Sequence, residues 1–396
     1  MTDNQFIGAL YTYPWDLVDE GLDTALDRIV DLTGCQEVQL TPSYHVSNYF
    51  LPHNPKRPVY LGENGAVYFS PDLSRYEGTR IKPRVSAEVT DPEYFDRIVD
   101  AVRTRGLTFS AWNVYLFNHY LSERHPEFAK HDAFGTPYVG QLSPAPRDVR
   151  EYAVALTAEI VERYRPEAVR VEALQREAWD HAMLKNKFIN DITLRCRFLL
   201  SLDFNPAAKE NAESEGLDAD RFQHDVAAWL RPTLARLPAE EDLELVTEQW
   251  LDEAFDGRLR RYLETGRKNT TTLWLAVADV IHGAGSKVQS DLVADPERSP
   301  TTDLDPIIYA SVDRATTGNP LREVDANASV KELTDRLAPD GVIFSPLGPG
   351  NISEPGPFIE RVRAARDAGI AGGTFYNYGL LREEQLEFIG KAMRSL

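Results

Sequence analysis

The chain has 396 residues, and its 43 Lys and Arg stand against 62 Asp and Glu, a formal charge of −19 at pH 7. Nucleic acid or an anionic membrane surface would meet net repulsion, while 42% hydrophobic and 10% aromatic residues exclude disorder of the whole chain. Two cysteines, Cys35 and Cys196, are too few for a disulfide framework or a cysteine-based zinc site.

Short apolar strands alternate with amphipathic helices, the pattern of a parallel α/β fold. The first strand is predicted at 6–13 (FIGALYTY), followed by a helix over 17–33 that stops at Gly34. EVQLT (37–41) is the second strand, and LTFSAWNVY (107–115), after a helix at 92–105, is the third. AVRVEAL (168–174) follows a helix at 147–164, and KVQSDLV (287–293) follows one at 270–282. PIIYASV (306–312), GVIFSPL (341–347) and GGTFYNY (372–378) complete eight strands, with helices at 328–338, 357–369 and 382–395. Eight such units predict a single-domain (β/α)8 TIM barrel rather than an open sheet, and no glycine-rich dinucleotide fingerprint follows the first strand.

Long insertions are predicted after strands two, three and four, at about 42–90, 116–146 and 176–269. The first contains Asn64-Gly65 between two alternating apolar runs, a hairpin signal. All three leave the C-terminal ends of strands, the face on which this fold builds its sites. The opening MTDNQFIGAL lacks a basic segment leading into a long apolar one, and no run of about 18 apolar residues occurs. A cytoplasmic location is the expectation. Arg outnumbers Lys 33 to 10. With the acid excess this fits either a high-salt cytoplasm or an ordinary acidic protein of a GC-rich genome.

Strand alternation sends every second side chain toward the axis. One parity is polar: Glu37, Gln39 and Thr41 on strand two, Arg170 and Glu172 on strand four, Lys287, Gln289 and Asp291 on strand five. This parity is expected to face the axis, with Arg170 paired to Glu37 or Glu172, because buried charge needs a partner. Glu172 and Asp291 end their rows nearest the C-terminal face, and Asp313 follows strand six, so these three are the candidate catalytic acids. Two carboxylates flanking a sugar ring can supply the acid, base or nucleophile of glycosidic cleavage. Aromatic and polar side chains gather at the same face: Tyr13, Trp15, Tyr44, Trp112, Tyr115, Trp179, Tyr376 and Tyr378, with Asn113, Gln289 and Asn377. Aromatic faces suit stacking on sugar C–H surfaces. His45 and His181 are candidates for substrate ligands or proton carriers, and Lys187 for holding an anionic group. The histidines carry neither HxH nor HExxH spacing, so no metal is predicted, although Glu172, His181 and Asp291 together offer one metal site.

The stretch 125–174, HPEFAKHDAFGTPYVGQLSPAPRDVREYAVALTAEIVERYRPEAVRVEAL, resembles a pattern of glycoside-hydrolase-like TIM barrels: a His-Pro-Glu opening, a Gly turn, a Pro-rich stretch and an Arg-Xaa-Tyr helix feeding a strand with an acid. Segments 42–72 and 198–218 resemble those of a poorly characterised bacterial and archaeal group within it. The resemblance implies a sugar-active barrel with its strand-four acid at Glu172. A cysteine cluster that the group carries in the later segment is replaced here by Asp203, Asn205 and Ala208. The retaining clan with a nucleophilic Glu on strand seven is not matched, because that stretch reads FSPLGPG.

Three functions follow. A glycosidase would cleave a small glycoside, with Glu172 as nucleophile or base and Asp291 or Asp313 as acid. A divalent-metal sugar isomerase, epimerase or lyase would use the same barrel, and a non-catalytic sugar-binding protein would keep the barrel without chemistry. In each the partner is a small carbohydrate, with no nucleic acid and no membrane, and a homo-oligomer is compatible.

Overall fold

The structure is a computed structural model that describes residues 6–45, 47–175, 192–237, 245–291, 305–317, 321, 325–348, 350 and 353–396. Its eight central strands are β1 (Ile7–Thr12), β2 (Glu37–Tyr44), β3 (Thr108–Val114), β4 (Ala168–Glu172), β5 (Lys287–Ser290), β6 (Arg314–Thr316), β7 (Val342–Pro346) and β8 (Gly372–Phe375). Each pairs in parallel with the next, and β8 pairs with β1, so the sheet closes into a (β/α)8 barrel. Helices α1 (Pro14–Glu20), α2 (Leu22–Arg28), α3 (Tyr94–Thr104), α4 (Arg147–Tyr164), α5 (Arg258–Gly283), α6 (Ala326–Thr334), α7 (Pro355–Asp367) and α8 (Glu383–Met393) connect the strands. Tyr152, Leu156, Ile160 and Tyr164, spaced by four, give α4 its buried stripe.

Register fixes which side chains meet on the axis. Tyr11 stands opposite Gln39, Gln39 opposite Ser110, Trp112 opposite Arg170, and Arg170 opposite Gln289. The polar parity therefore faces inward, and the apolar parity (Val38, Leu40, Phe109, Val169, Val288) is buried under the helices. In the lower barrel Arg314 donates to both oxygens of Glu37, at 3.0 and 2.8 Å. Above them Gln39 Nε2 donates to Gln289 Oε1 at 3.0 Å, and Gln289 Nε2 to Thr316 Oγ1 at 3.1 Å. Glu37 thus belongs to Arg314 and not to Arg170.

Two local expectations are corrected. The apolar run 306–312 is not strand six but the 3-10 helix Pro306–Ser311. Asp305 caps it, its carboxylate accepting from Ile307 N at 3.0 Å with Pro306 at the first helical position. A short apolar run does not by itself separate strand from helix. The true β6 starts at Arg314, so Asp313 lies at the N-terminal end of its strand, opposite to the predicted end. Asn64-Gly65 does not close a hairpin either. Val59–Leu61 pairs back with Asn48–Phe50, while Ala66–Val67 joins β2. Gly65 is needed for another reason: its φ is 60° and a Cβ there would come within 2.0 Å of Asn118 Oδ1.

The three insertions leave β2, β3 and β4 at their C-terminal ends. The third carries helices at Leu194–Leu200, Pro206–Ser214, Ala219–Leu234 and Glu248–Glu253. With the start of α5 these bury a separate hydrophobic cluster that includes Phe198, Leu199, Phe204, Phe222, Leu251 and Tyr262. No helix among the described residues is long and apolar enough to cross a membrane.

Candidate active site

Glu172 is the last residue of β4, and its parity turns it to the axis. Arg170 pairs with Gln289 across the ladder, so the two next inward residues, Glu172 and Asp291, stand side by side at the barrel mouth. Arg170 lies between them. Its Nη1 donates to Asp291 Oδ1 at 2.8 Å, its Nη2 donates to Asp291 Oδ2, and its Nε is 3.5 Å from Glu172 Oε2. The guanidinium sits 5.0 Å over the Tyr11 ring. Burial holds the Asp291 carboxyl above its ordinary range against the pull of Arg170. With both oxygens accepting from one guanidinium, this is nevertheless the geometry of a carboxylate and not of a proton donor.

Trp112 Nε1 donates to Glu172 Oε2. Immediately after Glu172 the backbone turns sharply, because Ala173 adopts φ 54°. A side-chain-bearing residue in this region stores about 1–2 kcal/mol. The turn is held by Tyr115 N donating to Glu172 O at 3.0 Å and Leu116 N to Ala173 O at 2.9 Å. The strained backbone therefore belongs to the element that presents the carboxylate.

Around Trp112 the aromatic rings close a bowl. Tyr44 meets it at 4.7 Å, Tyr11 at 4.9 Å, Tyr13 at 5.4 Å and Tyr376 at 5.7 Å between centroids. Three phenols converge: Tyr13 Oη is 2.9 Å from Tyr376 Oη and 3.1 Å from Tyr44 Oη. Burial pushes Tyr11, Tyr13 and Tyr44 far above the ordinary phenol range, so these hydroxyls stay protonated. Tyr376 is 46% exposed. Beside the bowl a cavity of about 340 Å³ is lined by His45, Phe117, Arg170, Glu172, Trp274 and Asp291, among others. Its size falls within the roughly 300–1,000 Å³ typical of small-molecule sites.

The candidates separate cleanly. Glu172, Asp291 and His45 share the cavity, and Tyr13, Tyr44, Trp112 and Tyr376 form the adjoining bowl. Asp313 is not with them. It accepts from Val288 N at 2.7 Å and lies 2.8 Å from His282 Nε2, lining a separate cavity of about 400 Å³ at the opposite mouth. Tyr115 turns to the helix layer, its hydroxyl 2.9 Å from Thr157 Oγ1 on α4, and Asn113 lies on the same outward parity. Gln289 is inside the barrel, one layer below Asp291. Trp15 is fully buried, stacked 4.4 Å from Tyr13 and packed against Tyr49, Tyr60 and Tyr68 beneath the first insertion. Asn377 caps the turn at Gly379 N, and Tyr378 donates to Glu20 at 2.8 Å behind the bowl. Trp179, His181 and Lys187 lie outside the described residues. The sequence reading missed Trp274, which reaches the cavity from α5 while its Nε1 donates to Ser311 Oγ at 3.1 Å. It also took Arg170 for scaffolding, although its two carboxylate partners make it the organiser of the site. Among the described residues no three His, Cys, Asp or Glu converge as a metal site would require.

No family model matches the chain, and no curated protein matches it by sequence. Solved structures do match in fold. The catalytic domain of a β-amylase from Paenibacillus polymyxa aligns with TM-score 0.56 at 11% identity, over 99% of this chain and 98% of that one. A β-galactosidase from the haloarchaeon Halorubrum lacusprofundi aligns with TM-score 0.56 at 12% identity, over 99% and 58%. An α-L-fucosidase isoenzyme from Paenibacillus thiaminolyticus gives 0.53 at 11% identity, over 99% of this chain and 49% of its own. The chain thus spans about half the fucosidase and somewhat more of the galactosidase. At these identities the likeness is one of fold: a glycoside-hydrolase-like barrel.

Proposed function

We propose that the protein hydrolyses a small glycoside, with Glu172 as the carboxylate that meets the anomeric carbon. The observation that carries this reading is the placement of Glu172: at a strand end on the C-terminal face, in a cavity of about 340 Å³, one oxygen held by Trp112 and the other without a hydrogen-bond partner among the described residues. An aromatic bowl beside a carboxylate is the chemistry a sugar ring needs, C–H faces on rings and hydroxyls on phenols. Tyr376, 46% exposed at the edge of the bowl, offers a ring and a hydroxyl to a sugar, while the buried Tyr13 and Tyr44 hydroxyls anchor it from behind. Asp291, clamped by Arg170, keeps that cation fixed beside Glu172 and maintains negative charge near an oxocarbenium-like transition state.

Glu172→Gln tests the reading against a panel of nitrophenyl glycosides. The variant is expected to lose at least about 10³-fold in turnover, the scale of removing a positioned nucleophile or base. Retained binding of the same glycosides by calorimetry should accompany that loss. Near-normal turnover by the variant sinks the assignment. Binding without turnover in the wild type would instead favour a sugar-binding protein.

A further inference from the structure

Hydrolysis of a glycoside needs a proton for the departing oxygen, and the described carboxylates of the cavity are poorly set to give one. Both oxygens of Asp291 accept from Arg170, and one oxygen of Glu172 accepts from Trp112. For Asp291 to donate a proton it would surrender one of these bonds and leave the largely buried Arg170 half-paired, and Glu172 is already assigned to the anomeric carbon. His45 is the remaining described side chain on this cavity whose ordinary pKa suits proton transfer near neutral pH. It directly follows β2 and is 8% exposed, its ring stacked 4.1 Å from Tyr44 at an interplanar angle of 27°. Phe117 meets it in a T-shaped contact at 5.0 Å and 68°. Two aromatic rings thus contact the imidazole, which shares its cavity with Glu172 and Asp291.

We propose that His45 is the proton donor to the leaving group, a role that rests on the glycosidase reading above. In the first step a lone pair of Glu172 Oε1 forms the bond to the anomeric carbon. The glycosidic C–O bond breaks, its electron pair stays on the departing oxygen, and the His45 imidazolium gives that oxygen its proton. The aglycone leaves as a neutral alcohol and His45 is left neutral. In the second step a water oxygen bonds the anomeric carbon and its proton passes to His45. The ester C–O pair returns to Glu172, restoring both groups. The stereochemical outcome is retention.

Among the described residues, titratable and charged groups near His45 lie on several elements. His119, on the helix His119–Arg124, interacts with it as a like-charged neighbour. Across the cavity lie Glu172 and Arg170 of β4 and Asp291 after β5, and on its own strand Tyr44, with Tyr13 and Tyr376 behind.

The test uses the full chain, aryl glycosides of graded leaving-group acidity, and the variants His45→Gln and His45→Asn, with circular dichroism and thermal melting on each. Loss of a general acid should lower kcat/KM for poor leaving groups by about 10²–10⁴-fold, while a dinitrophenyl glycoside, which leaves unassisted, keeps near wild-type kcat/KM even as its kcat falls for want of a base in the second step; the panel is therefore compared by kcat/KM. The basic limb of the pH–rate profile should vanish with it. A uniform loss across the panel in folded variants, or no loss, overturns the role of His45. That outcome is separable from failure of the parent reading. If Glu172→Gln is inactive while His45→Gln keeps the wild-type leaving-group dependence, only the proton donor is misassigned. If Glu172→Gln is active, or the wild type turns over no member of the panel, both fall together.

Discussion

At the level of single residues the site turns on one indole N–H. Trp112 is held by four tyrosine rings, so its N–H points at Glu172 without a rotamer to spare. A hydrogen bond to a charged group contributes about 1.5–3 kcal/mol. Trp112→Phe keeps most of the ring packing and removes only the donor. It is expected to lower kcat/KM by roughly 10–100-fold. Unchanged kcat/KM in a folded variant would show that the N–H does not act on Glu172. Residue-level legibility was uneven for a related reason. Glu172 could be read from alternation and its strand end. The partner of Arg170 could not, because which of several inward carboxylates a guanidinium meets depends on the stagger of a closed barrel. Asp313 was misplaced by a single wrong strand boundary, which moved it from one end of the barrel to the other.

At the level of elements, the first insertion, α1 and the loop after β8 are locked by buried protons. His53 Nδ1 is 2.9 Å from Glu20 Oε1 and its Nε2 is 2.9 Å from Tyr378 O. A carboxylate beside one ring nitrogen and a carbonyl beside the other favour the protonated ring, although Arg28 Nη1 also lies 3.4 Å from Nδ1. Burial opposes that charge, but Glu20 and the carbonyl outweigh it and hold the pKa above 6.5. On α1 the fully buried carboxyl of Asp16 accepts from Tyr13 N at 3.1 Å, and Gly379 packs so tightly that a Cβ would lie 2.2 Å from Oδ1. Burial pushes this carboxyl from 3.8 to about 8, so it is neutral in the fold. Both groups bind protons more tightly folded than unfolded. Their stabilisation is therefore complete at low pH and is lost as pH rises through the folded values. Asp16→Asn keeps an acceptor for Tyr13 N and removes the titration. The stability difference, variant minus wild type, should grow with pH between about 4 and 8, approaching about 1.4 kcal/mol per unit. Urea melts across pH 5–9 measure it, and a difference independent of pH refutes the buried proton. None of this was legible in sequence, since Asp16, His53 and Tyr378 are brought together only by closure of β8 onto β1. The Asn64-Gly65 turn shows the converse: its local signal was correct for a turn and silent on which strands the turn would serve.

For the whole molecule, the alternation of strands and helices announced the barrel because each βα unit carries its own periodicity. The helical insertion was legible as an interruption, while its separate core depends on contacts between helices far apart in sequence. Charge is the remaining global property. The excess of 62 acids over 43 bases leaves many carboxylates at the surface without a cation. The pair that orders the lower barrel, Arg314 with Glu37, is instead buried on both sides. Salt acts differently on the two populations. The Debye length falls from about 10 Å at 0.1 M to about 3 Å at 1 M, so repulsion among surface carboxylates is screened while contact pairs in the interior change little. The folded state, which concentrates the net charge, gains more from screening than the expanded chain does. The melting temperature is therefore expected to rise steadily between about 0.1 and 1 M KCl. A charge-reversed variant with the exposed Glu332 of α6 and Glu383, Glu384 and Glu387 of α8 replaced by Lys should show a shallower rise. A flat or falling melting curve for the wild type would mean that its acidity carries no destabilising repulsion, and that the acid excess is compositional rather than an adaptation to salt.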